Sequence, residues 1–193
     1  MSTQHKIIFT GTVGAGKTTA IMQLSDIAPI STEQVATDET QDKKKYTTVA
    51  MDYGSMRLEG GDVVHLYGTP GQQRFDFAWE VLIAGGIGLV ILLDHSDPDP
   101  LRDLRIFIES FETFIRRNAV VVGITHMNYY SGPKLVDYQK VVGEFGLNPA
   151  VFEVDARNKD DIALLIQALL YTLDPGLVDT FTATGIDSDK VDE

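Results

Sequence analysis

The sequence predicts a doubly wound α/β fold, in which helices cover both faces of a mostly parallel six-stranded sheet. Short apolar runs alternate along the chain with stretches of helical periodicity, as expected when crossover helices join parallel strands. The 193 residues, of which 44% are hydrophobic, suit one packed domain rather than two. We expect this domain over residues 1–173, followed by a poorly ordered acidic tail over residues 174–193.

The predicted strands share a short length and a high content of apolar, β-branched residues. They cover residues 7–10, 49–59, 63–67, 88–93, 119–124 and 151–154, and the predicted helices cover 17–26, 75–84, 101–116, 135–145 and 160–173. Gly60-Gly61-Asp62 predicts a hairpin turn, so the second and third strands should be antiparallel. Residues 31–47 are polar and predict a long loop.

Composition excludes several classes of function. The chain has 16 basic and 28 acidic residues, and a net charge of -12 would repel nucleic acid. It has no cysteine, which excludes thiol catalysis and zinc–cysteine sites and fits a reducing compartment. The longest apolar run, Ile87 to Leu93, is too short to cross a bilayer, and neither a signal segment nor a prenylation cysteine is present. We expect a cytoplasmic protein without its own membrane anchor.

Residues 11–18 read Gly-Thr-Val-Gly-Ala-Gly-Lys-Thr and match the phosphate-binding pattern G-x-x-x-x-G-K-[ST] between a strand and a helix. Glycines let successive backbone N–H groups turn towards phosphate oxygens, and the helix amino end adds positive charge. Lys17 would bridge phosphates, and the Thr18 hydroxyl would bind Mg²⁺. The strand–loop–helix context disfavours an incidental glycine-rich turn. The predicted nucleotide contacts of this segment are Gly14, Ala15, Gly16, Lys17, Thr18 and Thr19.

Two later segments, Thr47 to Tyr53 and Gly68 to Phe75, resemble in order and spacing switch I and switch II of Ras-superfamily small GTPases. The resemblance implies that Thr48 binds Mg²⁺ and senses the γ-phosphate. It also implies that Gly71 is the switch II glycine and that Gln72 is the catalytic residue that orients the attacking water.

Gly68 stands where the family motif has an aspartate. Small bacterial GTPases of the MglA type and those associated with Roadblock-like proteins also carry Pro-Gly-Gln without this aspartate, so the chain resembles that branch. We expect Asp52, on the neighbouring strand, to replace it, which gives Thr18, Thr48 and Asp52 as metal ligands. The alternative is that Asp52 is a surface carboxylate.

The base site is predicted in two loops. Thr125-His126-Met127-Asn128 stands in the place of N-K-x-D, which makes Thr125, His126 and Asn128 candidate base contacts. Asn128 offers one acceptor and two donors where the family has a carboxylate, so guanine, xanthine and adenine stay open at this point. Ala156 lies in a segment similar to the S-A-[KL] loop, whose alanine N–H meets guanine O6, and this favours GTP over ATP.

The resemblance implies a small GTP-binding protein that acts as a nucleotide-dependent switch, with GTP or GDP and Mg²⁺ as ligands. Val13 stands where many relatives have glycine and would crowd the catalytic glutamine, so we expect slow intrinsic hydrolysis. The implied partners are protein effectors or regulators at switch I and switch II, a Roadblock-like protein among the candidates. Two alternatives remain at this point: a nucleotide-binding scaffold with little hydrolysis, and a P-loop NTPase or phosphotransferase of different base specificity.

Overall fold

The computed structural model describes residues 3–28, 30–31, 51–58, 60–70 and 82–173. These residues form one seven-stranded sheet with helices on both faces. The strands are β1 (Gln4–Gly11), β2 (Ile30–Ser31), β3 (Asp52–Arg57), β4 (Val63–Gly68), β5 (Gly88–Asp94), β6 (Ala119–Thr125) and β7 (Ala150–Glu153). The helices are α1 (Lys17–Leu24), α2 (Pro100–Ser110), α3 (Glu112–Ile115), α4 (Leu135–Glu144) and α5 (Lys159–Leu173).

The strand order is β2-β3-β4-β1-β5-β6-β7. The β2–β3 and β3–β4 pairs are antiparallel, and the other described pairs are parallel. The doubly wound, mostly parallel α/β fold predicted from the sequence is therefore confirmed, as is the hairpin turn, in which Gly61 has φ +86°. None of the described helices is long and apolar enough to cross a bilayer.

Two apolar clusters, one on each face of the sheet, hold the layers together. Side chains of α1 and α5 pack on one face and those of α2, α3 and α4 on the other. The central strand β5 is buried along its whole length because alternate residues enter opposite clusters. Val90 and Leu92 point to α1 and α5, whereas Leu89, Ile91 and Leu93 point to the other helices.

The structure differs from the predicted elements in two places. The helix predicted over 101–116 is two helices, α2 and α3, with non-helical backbone at Phe111 (φ -106°, ψ 13°). Apolar side chains continue into the core on both sides of this break, so the sequence periodicity gives no sign of it. The short strand β2 begins at the edge of the predicted loop and pairs with Tyr53 and Asp52; two residues are too few to show an alternating pattern.

The fold brings the carboxyl ends of β1, β5, β6 and β7 to one edge of the sheet. After β1 the chain adds strands on one side of it, and after β4 it crosses to the other side to form β5. Ligands of open α/β sheets bind outside the carboxyl ends of the strands at such a reversal of strand order. The phosphate-binding segment follows β1 directly at this point.

Candidate nucleotide-binding site

Three glycines determine the path of the loop between β1 and α1. At Gly11 the backbone has φ +138°, and a Cβ there would lie 1.7 Å from the carbonyl oxygen of Leu92 on β5. Gly14 and Gly16 each have φ +85°, a region that L-residues with side chains rarely adopt. The motif glycines are therefore required by close packing of the loop on β5 and by its left-handed turns.

This loop presents backbone N–H groups that have no hydrogen-bond partner among the described residues. Thr12 donates to the carbonyl of Leu92 and Ala15 donates to that of Thr12. The unpartnered donors belong to Val13, Gly14, Gly16, Lys17, Thr18 and Thr19. The last three open α1, whose N-cap Gly16 supplies no side-chain acceptor. Adjacent free N–H groups at a helix amino end form an anion-binding site.

Lys17 lies across this loop as a buried cation. Its Nζ donates to the backbone carbonyls of Gly11 (3.0 Å) and Thr12 (2.6 Å), and the residue is only 8% exposed. Burial lowers the pKa of Lys17 to about 8, although the negative charges of Asp52 and Asp97 oppose this shift. No described residue forms a salt bridge with Lys17, so its ammonium can exchange carbonyl oxygens for phosphate oxygens.

Thr18 and Asp52, two of the predicted metal ligands, are in contact. Thr18 Oγ1 donates a hydrogen bond to Asp52 Oδ2 at 2.5 Å. Asp52 is the cross-strand partner of Gly68, and a Cβ on Gly68 would lie 3.1 Å from Asp52 Cβ and 3.2 Å from Asp52 Oδ2. The carboxylate of Asp52 therefore occupies the space beside Gly68, where the family motif places its aspartate.

Ala156, in the loop after β7, adjoins the phosphate loop. A Cβ on Gly16 would lie 2.5 Å from the Cβ of Ala156, so the two loops touch. The neighbouring N–H groups are paired, that of Asp155 with Asp161 and that of Arg157 with Asp155. The N–H of Ala156 has no partner among the described residues. The arrangement thus leaves one free donor next to the phosphate site.

Asp94, at the end of β5, connects the phosphate loop to the loop after β6. Its N–H donates to Thr12 Oγ1 at 3.0 Å, and its Oδ1 accepts hydrogen bonds from Ser96 and from His126 Nδ1 at 2.9 Å. Burial raises the pKa of Asp94, but these hydrogen bonds outweigh it and bring the pKa below its ordinary value. The ionised carboxylate holds His126, the one described non-glycine residue with positive φ (+64°).

The other predicted base contacts differ in their surroundings. Thr125 is buried, and its hydroxyl donates to the carbonyl of Leu93 rather than to the phosphate loop. The phosphate loop is instead tied to the end of β5 by Thr12 and Asp94, which the sequence did not reveal as a pair. Asn128 is exposed, and no described residue hydrogen-bonds its amide.

The structure therefore brings together the phosphate loop, Asp52 and the two predicted base loops at one edge of the sheet. The three remaining predicted site residues, Thr48, Gly71 and Gln72, lie outside the described residues. Three predicted segments also lie outside the described residues: the helix over 75–84 except for its last residues, most of the loop over 31–47, and the tail over 174–193. The roles of these segments, and the division at residue 173, stay predictions.

Comparison with known proteins also indicates a nucleotide-binding protein. Ras-related protein RabC of Dictyostelium discoideum is 20% identical over 181 residues, 88% of this chain and 84% of that protein. An uncharacterized protein of Methanocaldococcus jannaschii is 33% identical over 92 residues, 47% of this chain, and the match spans 51% of that relative's length. The family model described as conserved hypothetical ATP binding protein matches residues 9–138. The chain is therefore a P-loop nucleotide-binding protein that belongs to this family.

Proposed function

We propose that this protein is a small GTP-binding switch that binds GTP and GDP with Mg²⁺ and hydrolyses GTP slowly. The observation that carries the proposal is the hydrogen bond from Thr18 to Asp52 beside Gly68. It joins the phosphate loop to the strand that begins four residues after Thr48, the residue expected to sense the γ-phosphate. A ligand at this point is thus in a position to affect switch I.

The residues at this point fit a magnesium ion. A hydroxyl and a carboxylate are oxygen ligands of the kind that Mg²⁺ takes beside nucleotide phosphates and water. The described residues contain no cluster of three or more His, Cys, Asp or Glu side chains that could hold a metal alone, which agrees with an ion shared with the phosphates. Thr18 and Asp52 would hold it, with Thr48 as the third ligand; when bound, Mg²⁺ neutralises charge on the β- and γ-phosphates.

The free N–H of Ala156 supports a purine with an oxygen at position 6. A backbone N–H can donate to guanine O6 but faces another donor in the 6-amino group of adenine. The description of the family favours the competing function, a P-loop NTPase specific for ATP. The unpartnered donor beside Gly16 is the structural reason to prefer GTP.

Hydrolysis would be slow for a reason located in the phosphate loop. Water adds to the γ-phosphorus while the bond from that phosphorus to the β–γ bridging oxygen breaks, which yields GDP and phosphate. Gln72 would orient this water. The side chain of Val13 is 60% exposed, directed away from the core, and its branched shape would crowd the space that the glutamine and an arginine from a partner would enter. A protein effector or activator at the two switches, Roadblock-like or otherwise, would supply the stabilisation of transition-state charge that the chain lacks.

The proposal is tested by binding of fluorescent GDP and GTP to the full chain with Mg²⁺ and with EDTA. Asp52→Asn should abolish most of the difference between the two conditions, while Glu109→Gln, at an exposed carboxylate on α2, should preserve it. An unchanged Mg²⁺ dependence in Asp52→Asn would contradict the metal site. Retention of GTP over hours in the presence of a partner protein would favour a nucleotide-binding scaffold with little hydrolysis over a GTPase.

A further inference from the structure

Two buried hydroxyl groups lie beside the phosphate loop without belonging to the nucleotide site described above. Thr69 Oγ1 donates a hydrogen bond to Thr10 Oγ1 at 2.8 Å, and the two residues are only 3% and 0% exposed. Their neighbours on this face of the sheet are apolar: Ile8 lies two residues earlier on β1, and Ile91 is the partner of Thr10 on β5. A hydroxyl in such surroundings costs free energy unless its partner stays in place. The pair therefore fixes the relative position of the two segments that carry it.

Thr10 lies at a tightly packed end of β1. The next residue, Gly11, pairs with Leu92 on β5, and its backbone packs so closely on that strand that a Cβ would lie 1.7 Å from the carbonyl oxygen of Leu92. Thr12 then donates its N–H to the same carbonyl at 3.2 Å. The backbone that carries the Thr10 hydroxyl is thus held in place relative to the phosphate loop.

Thr69 lies at the end of the path to the predicted switch II, three residues before Gln72. Its N–H donates to the carbonyl of Phe9 at 2.8 Å, which continues the pairing of β4 with β1 by one residue. Pro70 has a nearly fixed φ, and the residue before a proline is restricted to extended backbone. The β-branched side chain of Thr69 has few rotamers as well. Few free torsions therefore separate the buried hydroxyl from Gly71, and the hydrogen bond limits the direction of the chain at Pro70.

We propose that Thr10 and Thr69 are positioning residues for GTP hydrolysis, because their hydrogen bond orients the segment that carries Gln72 relative to the phosphate loop. This role rests on the proposed function, in which Gln72 orients the water that adds to the γ-phosphorus as GDP leaves. The two threonines act on this step through the backbone, without contact with nucleotide or water. The groups that bind phosphate, which are the loop N–H groups and Lys17, do not depend on the hydrogen bond. Its loss should lower the rate of hydrolysis and leave the affinity for nucleotide unchanged.

The test measures single-turnover hydrolysis of GTP by the full chain with Mg²⁺, together with the dissociation constants of GDP and GTP. Thr69→Val keeps the shape of the side chain and removes the hydroxyl. Its rate constant should fall about tenfold, the factor that corresponds to one hydrogen bond, because fewer molecules hold the productive orientation. Both dissociation constants should stay within about twofold of those of the natural protein. Thr69→Ser keeps the hydroxyl and should hydrolyse GTP within about threefold of the natural rate.

A cycle of single and double variants separates positioning from stability. Thr10→Val should slow hydrolysis about as much as Thr69→Val, and the double variant no more than either, because all three lack the same hydrogen bond. In urea denaturation the double variant should be more stable than either single variant, since it leaves no buried hydroxyl without its partner. If a single variant folds poorly, the double variant still gives the comparison with the natural protein. Ile166→Val, a truncation in the cluster on the opposite face of the sheet, is the control: it lowers stability and should leave the rate unchanged.

Two results would overturn the positioning role and leave the proposed function in place. One is hydrolysis at the natural rate in Thr69→Val. The other is a double variant whose rate recovers together with its stability, since the pair would then only stabilise the fold. Absence of GTP hydrolysis by the natural protein would instead contradict the proposed function, and the positioning role with it.

Discussion

Exchange of two residues between neighbouring strands tests whether Asp52 has taken the place of the missing switch II aspartate. Gly68→Asp alone would place its Cβ 3.1 Å from Asp52 Cβ and 3.2 Å from Asp52 Oδ2. Two carboxylates about 4 Å apart repel by roughly 4 kcal/mol at an effective dielectric constant of about 20, and overpacking adds about 1–3 kcal/mol. Protonation of one carboxylate limits the total, so we expect Gly68→Asp to lower the free energy of unfolding by about 3–5 kcal/mol.

The reciprocal variant, Asp52→Gly with Gly68→Asp, removes the repulsion and the crowding against Asp52, while Ile21 Cδ1 still lies 3.1 Å from the added Cβ. Its free energy of unfolding should return to within about 1.5 kcal/mol of the natural protein, the remainder being the contact with Ile21 and the cost of a glycine within β3. The coupling energy between the two positions should therefore be about 3 kcal/mol. The new carboxylate should also restore the Mg²⁺ dependence of GDP binding that Asp52→Gly alone loses.

Urea denaturation at equilibrium in EDTA gives the four free energies of the cycle, and fluorescent GDP titrations give the Mg²⁺ dependence. EDTA separates the effect on folding from metal binding. Coupling below about 0.5 kcal/mol, the level found for independent positions, would refute the argument that the two side chains share one space. Restored stability without restored Mg²⁺ dependence would confirm the packing and refute the metal role.

Three further outcomes are expected. Gly11→Ala should prevent folding or cost more than about 4 kcal/mol in urea denaturation, because its Cβ would overlap a backbone carbonyl, whereas Gly61→Ala, with nothing within 4 Å, should cost only its φ strain of about 1–2 kcal/mol. Since the pKa of Lys17 is about 8 when no ligand is bound, GDP affinity should fall about tenfold between pH 7 and pH 9, with proton uptake on binding that calorimetry in buffers of different ionisation enthalpy would detect. The ligand-free protein should instead gain stability as the pH rises from 8 towards 10.5, because the unfolded chain then binds more protons than the folded one. Thr12→Val removes the acceptor of the Asp94 N–H and should cost about 1–2 kcal/mol of unfolding free energy, so no loss would show that the tie is not needed.

The sequence predicted those features whose signal lies within a short segment. The phosphate loop was predicted because glycines, lysine and threonine follow one another between a strand and a helix, and the unpartnered N–H groups of that loop occur where the motif places them. The position of Asp52 opposite Gly68 also followed from reasoning about strands, since a hairpin sets residues of β3 directly opposite those of β4.

The features that were missed depend on single contacts between distant segments. Asp94 and Thr12 are 82 residues apart, and Asp94 and His126 are 32 residues apart. No pattern within a short segment can therefore predict either hydrogen bond. The break at Phe111 was missed because apolar periodicity continues across it. Spacing reports which face of an element is buried, but it carries no information on a local change of backbone angles.

The central claim is that this site binds guanine rather than adenine nucleotides, and calorimetric titration of the nucleotide-free full chain with GTP and with ATP, each with Mg²⁺, tests it most directly. The free N–H of Ala156 beside Gly16 predicts that GTP binds at least about tenfold more tightly than ATP. Equal affinity, or a preference for ATP, would contradict the account.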